Sequence, residues 1–581
     1  MRAAAALSAF TALGAAATPP ASTPTFSKDV APILIRNCAK CHRSGELASR
    51  VPLLTYDEAR ARAELIKQKV VAREMPPWPV DSAHSVAFRN DPRLSLREIR
   101  TIAAWADGGA PKGNDGDLPP IPRTDDAWAD PQGRKPDLVI SLPGDVHVPA
   151  EGSIPYVKVL VKVPFTDDRW VSASQAKPSN PAVVHHMALT EITLPEGMSP
   201  ADADQAARRS GLPAAVFTAP AVTTPTASPQ PDMLAIYTPG STLEMYEDHT
   251  AKLLRGGKNM YVIFNIHYET TGKPEIDRSS IALWFAPHAP EHQLFRVNGA
   301  GETILANGKE LLIDAPGEKA EGTHVAIPPI PPFAENYELT GITGYLEPVT
   351  IYQFHPHAHD RGRQFTYSVV YPDGREQTVL SVPRFDHRWQ MAYELAHPLE
   401  LPAGSKLIVT ARYDNSKNNP HNPAPEKAVY FRAMNQSWDE MFTPFIQLSL
   451  DDRDPSKENG PGSGSNRMDL GTGTETKEHG STLQIGQVLG CLKEDANGQW
   501  ALTHATEPAV SQMQGTTGAA LKAAESAALG DQHYTLLGVR FFSPESLRDN
   551  KVAVKGILLG DGSSKRINVT SLQRLAQGCG R

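Results

Sequence analysis

Proline and glycine interrupt this chain too often for long helices: 51 prolines and 43 glycines are spread over 581 residues. Between them lie short runs rich in β-branched and aromatic side chains. Residues 156–164, 260–268, 367–371 and 406–413 each read as a strand. Such strands, separated by Pro/Gly turns, predict β-sandwiches from about 137 to 453. Residues 26–112 follow a different period. Residues 57–66 are good helix formers, and Ile99, Ile102, Ala103 and Trp105 make a helical stripe that opens with the capping box Ser95/Glu98. A Gly/Asp/Pro-rich linker runs from 108 to about 136, and residues 454–481 form a second, flexible one. The last 100 residues, 482–581, make a small β-rich domain. At roughly 150 residues per domain, the length corresponds to about four domains.

Composition sets limits on function. Apolar residues are 40% and charged residues 21%, as in a folded protein. The net charge of −8 excludes a strongly basic nucleic-acid binder, so no nucleic-acid partner is expected. Residues 1–17 carry one Arg, an Ala/Leu-rich core and a small-residue end, which predicts a signal peptide; an uncleaved anchor is the alternative. No later stretch reaches the ~18 apolar residues of a membrane helix, so no stable membrane span is expected. Export predicts a periplasmic or secreted protein, in a compartment where cysteines pair or take up haem. Four cysteines are too few for a disulfide scaffold.

Cys38-Ala39-Lys40-Cys41-His42 has the spacing for two thioether links to haem vinyl groups, with His42 beneath the iron. A redox or zinc Cys-x-x-Cys is the alternative, but it leaves the following His unexplained. Met75, the only Met between 42 and 112, is the candidate second axial ligand, and His84 is the weaker one. A thioether ligand raises the potential, which suits electron transfer. Residues 25–114 resemble a class I-type cytochrome c over about 90 residues, which implies an all-α domain carrying haem c.

The 19 histidines are clustered: His185-His186 before Met187, His267 within a strand, and His355, His357 and His359 in alternation. Residues two apart on a strand share a face, so His357 and His359 can converge on one ion, while Asp360 points away. Imidazole suits Zn, Cu, Fe and Ni, and an added thioether favours Cu(I). No His-Glu-x-x-His pattern is present. The pieces His185-His186-Met187, His267-Tyr268, His357-Ala358-His359-Asp360-Arg361-Gly362-Arg363 and Asp439-Glu440-Met441 follow one another over about 260 residues. In that order, they resemble the copper type II, ascorbate-dependent monooxygenases, whose members include the peptidylglycine α-hydroxylating and dopamine β-monooxygenases.

The resemblance implies two jelly-roll-like sandwiches, 137–290 and 291–453, each with one copper facing a solvent cleft. It implies a first copper on His185, His186 and His267 that stores and delivers an electron. It implies a second, catalytic copper on His357, His359 and Met441, with Met434 as rival ligand, where O2 is used to hydroxylate an aliphatic C–H. The peptide-hydroxylating relatives place an Arg where this chain has His355, and an Asn and a Tyr where it has Thr443 and Phe445. The peptide carboxylate clamp is therefore missing. His355 is left as a structural residue, a substrate contact or an alternative ligand. Cys491 and Cys579 frame the C-terminal segment and are available to pair, and residues 552–559 suit a small β-barrel.

The expected fold is thus multidomain: an all-α cytochrome c domain, two mainly-β jelly-roll-like sandwiches, and a small β-rich C-terminal domain. The expected function is an exported copper monooxygenase using O2 on a small organic substrate. Its haem would relay electrons from an external donor, ascorbate or a redox protein. A non-enzymatic haem/copper electron-transfer or copper-binding protein on the same fold is the alternative. A surface-binding module with all six ligands unmetallated is the third reading.

Overall fold

The computed structural model describes residues 23–120, 128, 133–194, 196–199, 233–240, 243–432, 436, 438–453, 455, 482–560 and 565–579. The expected signal peptide, the body of the 454–481 linker and Met434 lie outside these residues. The chain divides into two compact units. The first comprises residues 1–43, 50–76 and 93–123, and the second comprises 44–49, 77–92 and 124–581.

In the first unit, Leu96–Asp107 is the longest helix. Ser95 Oγ accepts the Glu98 N–H, and the Glu98 carboxylate accepts the Ser95 N–H in return, closing the capping box at its start. The helix buries Ile102 and Trp105, whose indole N–H donates to Pro111 O at 3.1 Å. The helix expected over 57–66 is broken at Arg62 into Tyr56–Arg60 and Ala63–Val71. Ala31–Asn37 ends where the two haem-type cysteines begin.

An all-α cytochrome c domain does not form. The α-helices of the described chain are five and short, and strand accounts for 37% of the structure against 13% for helix. The physical reason lies in the breaks. Pro76, Pro77 and Pro79 bar helix after Met75. Residues 77–92 then join the second unit, where Trp78 packs edge-on against Tyr393 with ring centroids 5.0 Å apart.

The second unit is built from sheets. Val157–Lys162, Met260–Tyr268, Val184–Thr193 and Met233–Tyr237 form a four-stranded sheet in that order. Its inner face, with Met187, Leu189, Phe264 and Ile266, packs on Ile281 and Leu283 from a nine-stranded sheet. That larger sheet does not stop at the first sandwich. Thr250–Leu254 pairs in parallel with His292–Asn298, which continues antiparallel to Phe445–Leu450 and Val349–His355. The second half of this sheet covers a six-stranded sheet whose central strands are Tyr337–Gly344, Lys406–Tyr413 and Gly362–Val370.

The C-terminal strands Ile485–Glu494, Trp500–Ala505, Gln532–Leu537, Arg566–Ala576 and Lys551–Leu559 close into a ring, with one parallel pair. Cys491 and Cys579 are joined by a disulfide. The ring packs on the outer face of the six-stranded sheet, where it buries Ile342, Val370 and Ile408. Lys406 is fully buried at this seam, and its Nζ donates to the carbonyls of Leu537, Gly538 and Val569. Lys406→Ala leaves three buried acceptors without a donor, and urea unfolding of the variant is expected to show a loss of about 2–4 kcal/mol.

Candidate metal centre

A regular strand cannot aim two consecutive side chains at one point. His185 and His186 escape this rule through a bulge. Val184 pairs with Tyr268, but His186 rather than His185 pairs with His267, so His185 is the extra residue of its strand. All three rings then meet on the outer face of the four-stranded sheet. His185 Nδ1 lies 3.2 Å from His267 Nδ1 and 3.2 Å from His186 Nδ1. Ligand nitrogens about 2.0 Å from one metal at trigonal or tetrahedral angles lie roughly 3.3–3.5 Å apart. The three Nδ1 atoms therefore fit a single ion, and the donor atoms of the set lie within 4.8 Å of one another.

The second group is built differently from the strand that the alternation suggests. Strand Val349–His355 ends at His355, and His357 and His359 sit on the irregular segment just beyond it. Their orientation comes from hydrogen bonds instead. His357 Nδ1–H donates to Gln390 Oε1, and His359 Nδ1–H donates to Asp439 O at 2.8 Å. Each bond fixes a ring and leaves Nε2 as the free donor atom. His357 Nε2 lies 3.2 Å from Met441 Sδ. His359 Nε2 is turned to the Tyr156 hydroxyl at 2.9 Å. The fit of this set is thus closest for His357 with Met441, while His359 Nε2 is engaged by Tyr156.

Glu440 holds the two loops together. Its carboxylate accepts the N–H groups of His359 at 2.9 Å, Arg361 at 2.7 Å and Met441 at 3.1 Å. Burial pushes Glu440 up to about 7, against the lowering effect of the His359 and Arg361 N–H groups.

The two groups touch rather than face each other across an open cleft. His186 and His357 rings are 5.2 Å apart, and Tyr156 OH contacts His186 Nε2 at 3.2 Å as well as His359. A cavity of about 180 Å³ opens beside them, lined by His186, Tyr156, His355, His357, Met441 and Phe445 among others. His355 is buried against Phe445 and forms part of this wall. His387, which sequence reasoning missed, packs against His185 at 5.4 Å and bonds Asp360 at 3.2 Å. Asp360 is thereby held away from the His357/Met441 pair.

Burial, reinforced by neighbouring imidazoles, holds His186 and His267 well below the usual histidine range. It brings His357 down to about 3 and His359 to about 4. Neutral rings present lone pairs, as metal ligands must.

In the first unit, His42 Nδ1–H donates to Val51 O at 2.8 Å, which leaves Nε2 for an axial bond. Cys38 and Cys41 are half-buried beside it, and burial pushes the Cys38 thiol up to about 12. The residues fit haem attachment on the His42 side. No hydrogen bond or ring contact among the described residues joins Met75 to His42. His84 belongs to the second unit and pairs with Asp81 at 2.7 Å on an exposed turn.

Two outcomes follow. In the metal-free protein the folded rings stay neutral where the unfolded chain protonates each of them below about pH 6.5. The unfolded state then binds more protons, so the urea midpoint falls as pH drops from about 6.5 towards 4; Glu440 and Glu310 (buried under the Ser571 hydroxyl), each raised to about 7, and Asp360, raised to about 6, act oppositely but are outnumbered by the lowered histidines. A midpoint unchanged across that window would contradict these environments. Glu440→Ala frees three backbone donors and is expected to cost about 3 kcal/mol and to reduce metal uptake at the His357/Met441 group while sparing the three-His group. Equilibrium dialysis against single-site variants checks this.

Comparison with known proteins adds little. No family model and no curated protein matches the chain. Among solved structures, it is similar to the cryo-EM structure of broad bean stain virus, with 8% identity and a TM-score of 0.18, over 52% of this chain and 90% of that one. A superposition that weak carries no argument. No helix among the described residues is long and apolar enough to cross a membrane.

Proposed function

We propose that this chain is a copper-dependent monooxygenase that hydroxylates an aliphatic C–H of a small organic molecule with O2. The observation that carries this reading is a three-nitrogen donor set and a His–Met pair bordering the same cavity. His185, His186 and His267 would hold one ion; His357, Met441 and His359 would hold the other. Bound copper would supply one-electron redox chemistry and, at the thioether-containing set, a site for O2. The protein's own part is to fix the rings through Gln390 and Asp439, to clamp the loops through Glu440, and to confine the substrate in the adjoining cavity.

Haem c attached at Cys38 and Cys41 with His42 as axial ligand is part of the same proposal, with Met75 as its other ligand. Electrons from an external donor, ascorbate or a redox protein, would enter through it singly. The reading includes export to the periplasm or beyond, where haem attachment and the Cys491–Cys579 bridge are chemically favoured.

Metal analysis of the exported, haem-loaded protein tests the assignment. Two coppers and one haem iron per chain are expected, with about one copper lost in each of His267→Ala and Met441→Ala. Labelled oxygen from ¹⁸O2 should enter the product in the wild type and not in Met441→Ala. Haem iron without copper, after reconstitution, would overturn the reading. Full copper with reversible redox cycling, and no oxygen incorporation into any substrate, would favour electron transfer alone.

A further inference from the structure

The cavity beside His357 and Met441 has a chemical character of its own. Four of its lining side chains bury a polar atom with no hydrogen-bond partner in the protein: Thr238 Oγ1, Asn265 Oδ1, His355 Nδ1 and Thr443 Oγ1. Thr238, His355 and Thr443 are at most 3% exposed. A polar atom buried without a partner costs about 1–3 kcal/mol, and four around one cavity of 180 Å³ are too many to be incidental to packing.

Two of the four can only accept, and two can accept or donate. Asn265 Oδ1 only accepts. His355 hydrogen-bonds the Gln390 backbone through its other nitrogen, which makes Nδ1 an acceptor too. The two threonine hydroxyls accept or donate. The Glu321 carboxylate on the wall is already engaged by a partner, and no Lys or Arg stands among the described lining residues. Ile236 and Phe445 add apolar surface to the lining.

A carboxylate substrate would meet no cation, and only the two threonine hydroxyls could donate to it, too little to offset its desolvation. A hydroxylated molecule would bring donors to the acceptors and lay its carbon chain on Ile236 and Phe445. The volume of 180 Å³ accommodates roughly ten non-hydrogen atoms of a ligand.

Resting on the monooxygenase reading for the chemistry but not for the binding, we infer that this cavity selects a small uncharged diol- or polyol-type substrate. It is held by Thr238, Asn265, His355 and Thr443, with its carbon chain against Ile236 and Phe445. His355 is then a substrate contact.

The test measures binding to the full exported chain, metal-free and copper-loaded, by ligand-observed NMR. The probes are hexane-1,2-diol, hexanoate and hexylammonium. The diol is expected to bind both forms, and hexanoate neither. His355→Phe and Thr443→Val should each weaken the diol by about tenfold, the worth of one hydrogen bond. Ala188→Leu, which fills the cavity from the sheet face, should abolish binding while cooperative unfolding is retained. Diol binding to the metal-free chain supports the inference even if copper never loads, which would defeat the monooxygenase reading alone. Hexanoate or hexylammonium binding as tightly as the diol, or diol binding unaffected by all three substitutions, would overturn the inference. Oxygen insertion into hexanoate with the diol inert would overturn it while leaving the monooxygenase reading standing.

Discussion

The parallel pairing of Thr250–Leu254 with His292–Asn298 carries one sheet from the first sandwich into the second. Parallel strands need a long crossover, and this one is supplied by the rest of the first sandwich, including strand Met260–Tyr268 with its His267. A buried ion pair locks the seam. Arg296 on the crossing strand donates to Glu244 from the first sandwich and to Gln353 from the second, each at 2.7 Å. Removing one partner of such a pair typically costs about 3–5 kcal/mol, so the two halves are not free to drift. The four-stranded sheet that carries His186 packs on this shared sheet, and the His357 segment leaves the end of one of its strands, so the two rings meet.

This geometry departs from an open cleft between two metal-bearing domains, and it gives Tyr156 a role. Its hydroxyl lies between His186 and His359, and its ring packs against both and against His267. Burial keeps the phenol protonated, well above its ordinary range. It satisfies two ring nitrogens that would otherwise be buried and unpaired. The cost of holding so many neutral imidazoles together is thus met partly by one tyrosine and partly by Gln390, Asp439 and Glu440.

Much of the strand pattern was legible in the chain. Residues 260–268 are rich in β-branched and aromatic side chains, and a strand occupies those positions. Residues 406–413 likewise match their strand. The candidate ligands were legible as residue types at characteristic spacings, since histidine doublets and alternations are rare in a core. What placed them was not. The bulge at His185 depends on pairing with a strand some 80 residues away, a register that no local signal encodes. Tyr156, Gln390 and His387 reach the site through tertiary packing alone. The helical period of 26–112 was real at Leu96–Asp107 but did not extend through prolines 76, 77 and 79, which is why an all-α domain was over-read. The unpartnered atoms of Thr238 and Asn265 could be recognised only once the sheet face and the opposing loops were seen together.

The central claim is that the two sandwiches, joined by a shared sheet, hold two donor sets in contact. Electron paramagnetic resonance of the fully copper-loaded, oxidised protein tests it most directly. Rings 5.2 Å apart on the two sets predict magnetically coupled Cu(II), with a spin count well below the copper content. A spin count equal to the copper content, from two magnetically isolated Cu(II) ions, would contradict it.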